Sequence, residues 1–373
     1  MKLFPSGLAM GSAFCNRVSE RETLSKNISN ITHTVIMAPR RYGKSSLIKQ
    51  VLTENQCEHA WIDFLSVTSK EDASTKIAKG VGQLLLRLSP DWKKLQKQAA
   101  GFMKSMSPEL NLGLMGQSLT LHMPGQSGNQ AQSGSIEETL LQLDDYAQKM
   151  GKKAVLVFDE FQQLNEIKDN LSVEAMIRHA VERSQAITYI FSGSNRHLLH
   201  EMFGQSNRPL YRLCQAMTIE RISAGDYSAF LKKLGKTQWG VVLDPEIIER
   251  IFFYSEFHPF YLNALCEILW SSDTPPLLED VDNAWAWYIT NHKNVIVSEI
   301  INLPVNQKKI IQALADQTIK EPTGADFSHR TKLSVSSIKQ SIEALMAKDI
   351  IYKNANDEFA LLDPAVLTYF RNF

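Results

Sequence analysis

The sequence predicts a three-layer α/β domain built on a parallel sheet, followed by a helical segment and a winged helix. Three patterns carry this prediction. Apolar, β-branched runs alternate with helical periodicity from Thr32 to Glu220, the pattern is helical throughout from Gly225 to about Leu303, and past Pro304 helices precede a hairpin signal. The corresponding boundaries are residues 1–221, 222–303 and 304–373, and no internal repeat is visible.

Each element has its own signal. Thr32 to Met37 (THTVIM) reads as a first strand that runs into APRRYGKSS, after which Leu47, Ile48, Val51 and Leu52 recur at helical spacing. A second strand is expected at Ala60 to Leu65, and then a helix from about Ser69 to Leu88, opened by Ser69 and Asp72 in capping-box spacing and ended by Pro90. Between Asp91 and Gly134, the alternation of Leu110, Leu112 and Leu114 and of Leu119, Leu121 and Met123 predicts an inserted hairpin, with PGQSGNQAQSGS as its flexible return. Ser135 and Glu138 open a helix that Gly151 should stop.

AVLVFDEFQQL then reads as a buried strand ending in two acids, followed by a helix near Val173 to Gln185 and strands at Ile187 to Ser192 and Ala216 to Glu220. In the helical segment, Ile247, Ile248, Ile251, Phe252 and Tyr254 form an apolar stripe. Toward the C-terminus come a helix near Asn306 to Ala315, a turn with Pro322 and Gly324, an amphipathic helix marked by Ile338, Ile342, Leu345 and Met346, and a hairpin around Asn354 to Asp357.

Composition narrows the function classes. The 373 residues carry 40 Lys+Arg against 40 Asp+Glu, so no net field favours nucleic acid or an anionic membrane. A 44% hydrophobic content with 18 Gly and 13 Pro is that of packed globular material. Cys15, Cys57, Cys214 and Cys266 are widely separated, with no Cys-x-x-Cys and no zinc spacing, which predicts a reducing compartment. The first residues contain one Lys and no unbroken apolar run, and no run approaches the ~18 residues of a membrane span, so the expectation is a soluble cytoplasmic protein.

The chemistry is concentrated in three places. Ala38-Pro-Arg-Arg-Tyr-Gly43-Lys44-Ser45 matches G-x-x-x-x-G-K-S/T except at its first position, and it lies between a predicted strand and a predicted helix. Such a loop turns sharply enough to aim successive backbone N–H groups and a helix N-terminus at phosphate, which calls for glycine at 43. Lys44 would bridge the β- and γ-phosphates, and the Ser45 hydroxyl would complete a Mg²⁺ shell. Asp159, ending an apolar strand, can hold Mg²⁺ through water, while Glu160 can polarise the attacking water. After the next strand, Ser194 and Asn195 are candidates for sensing the γ-phosphate, although Ser192-Gly193-Ser194-Asn195 equally suits a turn on backbone grounds.

Four ordered motifs resemble the archaeal-type ATPase family, a branch of the AAA+-like STAND NTPases within the ASCE P-loop class, over nearly the whole chain. Phe14-Cys-Asn-Arg17 with Glu20 and Leu24 is similar to the family's N-terminal F-x-x-R-x-x-E motif. Pro39-Arg40-Arg41-Tyr42-Gly43-Lys44-Ser45, continued by Ser46, resembles its phosphate loop. Phe158-Asp159-Glu160-Phe161-Gln162 resembles its Walker B segment, and Ser192-Gly193-Ser194 followed by Arg208-Pro209-Leu210-Tyr211-Arg212 its segment after the sensor strand. The chain departs from the pattern where Arg212 follows Tyr211 directly, and where Glu256-Phe257-His258-Pro259-Phe260 keeps Pro259 without the usual Gly and without an arginine.

The resemblance implies ATP or ADP with Mg²⁺, and a nucleotide-driven switch acting on a protein partner or by self-association. It also implies that Arg17 approaches the nucleotide, that Arg40 and Arg41 meet phosphates or a neighbouring domain, that Arg208 or Arg212 acts in trans, and that His258 or Pro259 shapes the adenine side. Two other readings are a DNA-associated initiator- or loader-like ATPase and an ADP-holding module with little hydrolysis. From Val305 to Phe373 there are nine Lys+Arg against eight Asp+Glu, a weak footprint for duplex DNA, even with Ser334, Ser336, Ser337, Lys339 and Gln340 placed to face a groove. This balance favours docking of the winged helix on the ATPase core.

Overall fold

The computed structural model describes residues 2–89, 111–114, 117–120, 135–354 and 356–372. The expected helix stop at Pro90 and the expected flexible return up to residue 134 lie outside the described residues. The chain forms two compact units, one made of residues 18–38 and 47–219, the other of residues 1–17, 39–46 and 220–373.

The first unit holds the sheet. Strands β1 (Thr34–Met37), β2 (His59–Asp63), β5 (Ala154–Asp159), β6 (Ile187–Gly193) and β7 (Gln215–Thr218) are ordered β2-β5-β6-β1-β7 and pair in parallel throughout. β6 is buried along its whole length and β5 everywhere except Asp159, as expected of parallel strands covered on both faces. Phe158 and Phe161 pack their rings 5.2 and 4.8 Å from that of Phe191, an aromatic core beside the strand ends. The inserted segment contributes β3 (Asn111–Leu114) and β4 (Gln117–Thr120), paired antiparallel with Asn111 opposite Thr120.

Several helices of this unit begin at a capping side chain. α1 spans Val18–Ser29, and α2 (Lys44–Glu54) follows the loop after β1, burying Leu47, Ile48, Val51 and Leu52. α3 (Lys70–Leu88) starts at Ser69, whose hydroxyl accepts the Asp72 N–H, but the Asp72 carboxylate accepts from Thr68 N–H, so the reciprocal half of the capping box sits one residue upstream. α4 (Ile136–Lys149) starts at Ser135, capped by the Glu138 N–H, and gives way to Gly151 at φ +63°. α5 (Asn170–Arg183) and α6 (Arg196–Gly204) complete the unit.

Asp144 on α4 organises the entry to β6. Its carboxylate accepts from Ser184 Oγ at 2.6 Å, from the N–H groups of Gln185, Ala186 and Ile187, and from Gln148 Nε2. Burial pushes its pKa up, but the donors of Ser184, Gln185, Ala186 and Gln148 outweigh burial and hold it below the ordinary value. A depressed carboxyl stabilises the fold fully above the unfolded pKa of about 4 and loses that contribution as pH falls below it. Asp144→Ala strands several donors, so its urea midpoint at pH 7 should correspond to a loss of roughly 2–4 kcal/mol. The difference from wild type should shrink toward pH 3, and a difference independent of pH would contradict this account.

The second unit carries the helical segment and the winged helix on one apolar core. α7 (Ala224–Trp239), α8 (Pro245–Ser255), α9 (Pro259–Leu269) and α10 (Leu278–Ile301) precede α11 (Val305–Asp316), α12 (Ala325–Thr331) and α13 (Val335–Ala347). The wing is β8 (Ile351–Lys353) paired antiparallel with β9 (Phe359–Leu361), and α14 (Pro364–Asn372) follows. Leu231, Ile251, Leu265, Trp285, Ile310 and Ile338 belong to the same buried cluster, so the helical segment and the winged helix share a core. Trp285 Nε1 donates to Thr368 Oγ1 at 3.1 Å and Tyr261 Oη to Asp363 Oδ2 at 2.5 Å, pinning the two parts together. Among the described residues no helix is long and apolar enough to cross a membrane.

Candidate functional site

β1, β5 and β6 are adjacent and parallel, so their C-terminal ends lie on one edge of the sheet, with Met37 in register with Gly193. The loop that leaves β1 opens with Ala38, which is fully buried, so a small residue meets the packing demand at the position where the motif has glycine. Arg41 and Gly43 take positive φ, +65° and +88°. No heavy atom lies within 4 Å of where a Gly43 Cβ would be, so glycine is needed there for backbone conformation rather than for space. The loop then enters the N-terminus of α2, where the helix dipole favours an anion.

The side chains of this loop are held from several directions. Lys44 Nζ donates to the Pro39 carbonyl at 3.2 Å, folded back over its own loop, and the Ser46 hydroxyl accepts the Ala9 N–H at 3.0 Å. Arg17, which is buried, donates from Nη2 to the carbonyls of Tyr42 and Glu220, both at 2.9 Å, so it grips the loop backbone. Arg40 and Arg41 are exposed, and the Arg41 guanidinium lies 4.2 Å over the Phe260 ring. Tyr42 is buried, with its ring 4.8 Å from that of His258. His258 caps α9 by accepting the Phe260 N–H, and Pro259 occupies the first turn. Burial, then the nearby charges of Arg221 and Arg41, pull the His258 pKa down to about 3, which keeps the ring neutral at physiological pH.

The acids occupy the end of β5. Asp159 Oδ1 accepts from Ser192 Oγ at 2.6 Å and from the Glu160 N–H at 3.0 Å. Glu160 takes a left-handed φ of +49°, which turns the chain into a 3₁₀ helix at Phe161–Glu166. Its Oε2 accepts from Ser194 Oγ at 2.8 Å and from Gln162 Nε2 at 2.6 Å. The two sensor candidates part company: Ser194 touches the acid, whereas Asn195 accepts the Leu198 N–H at 3.0 Å as the cap of α6.

The segment beyond α6 is fastened to α5. Arg208 grips both oxygens of the fully buried Glu174 and reaches Glu201 at 3.1 Å, with its side chain 9% exposed. Burial pushes the Glu174 pKa up in spite of Arg208. Arg178 Nη1 donates to the carbonyls of Pro209 and Tyr211. Arg212 is exposed, at φ +55°, with its guanidinium 5.0 Å from the centre of the Tyr211 ring. Arg208 is therefore engaged within its own chain, and of the two arginines Arg212 is the one presented to solvent.

The chain is similar to the Walker-type ATPase PABY2304 of Pyrococcus abyssi, with 19% identity, 99% of each chain covered and a TM-score of 0.72. It is also similar to the ORC2 protein of Aeropyrum pernix in its ADPNP–ADP complexes, at 12% identity over 96% of this chain and 94% of that one, with a TM-score of 0.58. Residues 297–371 match a family model described as a probable winged helix domain. The fold is that of a Walker-type P-loop ATPase. No curated protein matches the sequence.

The sequence-derived candidates for cation ligands are the Ser45 hydroxyl in the P-loop and, separately, the Asp159 carboxylate at the end of β5. Both are hard oxygen groups, without thiolate or imidazole beside them in the motif, and this donor chemistry fits Mg²⁺. The sequence reading missed Arg221. Its Nη1 donates to the Glu256 carbonyl at 2.7 Å and to Glu256 Oε2 at 2.9 Å, its Nη2 to the Leu362 carbonyl at 2.8 Å and its Nε to Tyr42 Oη at 3.3 Å. One guanidinium thus joins the P-loop to the helical segment and the winged helix. A lone arginine at a domain boundary carries no sequence signal of this kind. Gln162 was visible as a motif letter only, and its contact with Glu160 depends on the turn at residue 160.

Proposed function

We propose that the chain is a Mg²⁺-dependent ATPase of the STAND/AAA+-like group, an archaeal-type ATPase that cycles between ATP and ADP states to switch a partner. The observation that carries this reading is the Arg221 junction, because a phosphate loop bonded to a winged helix through one side chain gives nucleotide state a route to that domain. Lys44 exchanges the Pro39 carbonyl for phosphate oxygens, and the N–H groups around Gly43 and the start of α2 cradle the phosphates. Ser45 and Asp159 are the proposed Mg²⁺ ligands, and the cation, when bound, neutralises charge developing between the β- and γ-phosphates. Glu160 orients the attacking water and accepts its proton.

The test is nucleotide release. Arg221→Ala removes every bond of the junction without touching phosphate, and it should speed release of a fluorescent ADP analogue by roughly 5- to 100-fold, the range of typical coupling energies. An unchanged off-rate would remove the support for a switch.

A second reading, a DNA-associated initiator- or loader-like ATPase, draws on the winged helix and on the likeness to the ORC2 protein. Ser334, Ser336, Lys339 and Gln340 are exposed on or beside α13 while Ile338 and Leu345 are buried, so a polar face is available to a groove. Under this reading duplex DNA stimulates ATP turnover, and Lys339→Glu weakens duplex binding at all sequences and flattens its salt dependence.

A further inference from the structure

We infer that Gln162 is a positioning residue for hydrolysis: together with Ser194 it fixes the Glu160 carboxylate toward the attacking water, and residue 193 is glycine to make room for the Gln162 amide. The inference rests on the ATPase reading above.

The geometry starts from one carboxylate oxygen. Glu160 Oε2 accepts two hydrogen bonds from different elements, the Ser194 hydroxyl at the end of β6 and the Gln162 amide in the 3₁₀ helix. A turn closed by the Gln163 N–H on the Glu160 carbonyl, at 3.0 Å, folds residue 162 back toward the acid. Two donors converging on one oxygen fix both the position and the rotation of a side chain that otherwise turns freely at its last bond.

The amide is held there at a cost. Gln162 is 3% exposed, and its Oε1 has no hydrogen-bond partner. Only the NH₂ end can donate to a carboxylate, so the orientation is dictated by Glu160 and the orphaned carbonyl follows from it. A buried acceptor without a partner is unfavourable by about 1–3 kcal/mol, which a residue serving packing alone has no reason to incur. The carbonyl lies against β6: a Cβ on Gly193 would stand 1.8 Å from Gln162 Oε1 and 3.1 Å from Leu199 Cδ1. Any side chain at 193 therefore displaces the amide. The requirement for glycine is one of space, since Gly193 has no positive φ.

Gln162→Met keeps the length and apolar burial of the side chain and removes both the donor and the orphaned acceptor. It should leave the unfolding midpoint unchanged or raised, leave KM for ATP unchanged, and lower kcat by roughly ten- to a hundredfold, the scale of a misplaced catalytic group. Gly193→Ala should lower kcat to a similar extent by evicting the amide, and the double variant should be no worse than Gln162→Met alone, because both changes act through one contact. If Gly193→Ala does not fold, the Gln162→Met measurements decide alone. A Gln162→Met protein with wild-type kcat, or one that changes KM instead, overturns the positioning role while leaving the ATPase reading intact. A wild-type chain without ATP turnover overturns both. A falling unfolding midpoint with unchanged kcat assigns Gln162 to stability only and likewise overturns the inference.

Discussion

Glu160→Gln should lower ATP turnover by roughly 10² or more while ATP affinity stays near that of wild type. The substitution is unusually clean here. The amide oxygen of a glutamine can still accept from Ser194 Oγ and Gln162 Nε2, so the side chain keeps its two anchors and loses only the charge and the basicity. Phosphate release under saturating ATP measures the first quantity and calorimetry the second. Turnover that survives would mean that another carboxylate takes the water's proton.

Lys44→Ala should weaken ATP binding by roughly 10²-fold or more, since one or two hydrogen bonds between an ammonium and phosphate oxygens are lost, each worth about 1.5–3 kcal/mol. Lys44 also donates to the Pro39 carbonyl, so the loop itself loses a tie. The unfolding midpoint separates the two effects: a loop that keeps its shape loses affinity at unchanged stability. Unchanged affinity in calorimetry would sink the assignment of this loop to phosphate.

Much of the architecture was legible because its causes are local. A β-branched strand running into Gly43-Lys44-Ser45 and then into an apolar helical stripe specifies strand, loop and helix with little help from distant residues. Ser69 and Ser135 start helices where a capping hydroxyl is needed, and Gly151 sits just past a helix end in a left-handed turn. What stayed hidden depends on residues far apart in sequence. Strand order β2-β5-β6-β1-β7 cannot be read from chain order. Whether Ser194 or Asn195 turns to the acid is a matter of side-chain direction, decided by the start of α6. Arg208 looks as available as Arg212 until Glu174, buried on α5 and distant in sequence, is seen to hold it. Arg221 meets partners at residues 42, 256 and 362, a combination that no window of sequence contains.

The make-up of the second unit has a consequence for how the protein is made. That unit joins residues 39–46 to residues 220–373, so the phosphate loop and the groups that brace it leave the ribosome far apart in time. Arg17 is synthesised before the loop, but Arg221 comes long after it, and the Leu362 carbonyl that completes the junction emerges later still. Contacts of such long sequence separation form late, and domains fold as units during synthesis. A nascent chain can pair β1, β5 and β6 while its loop still lacks the Arg221 brace, so the loop is fully supported only once translation has passed the wing.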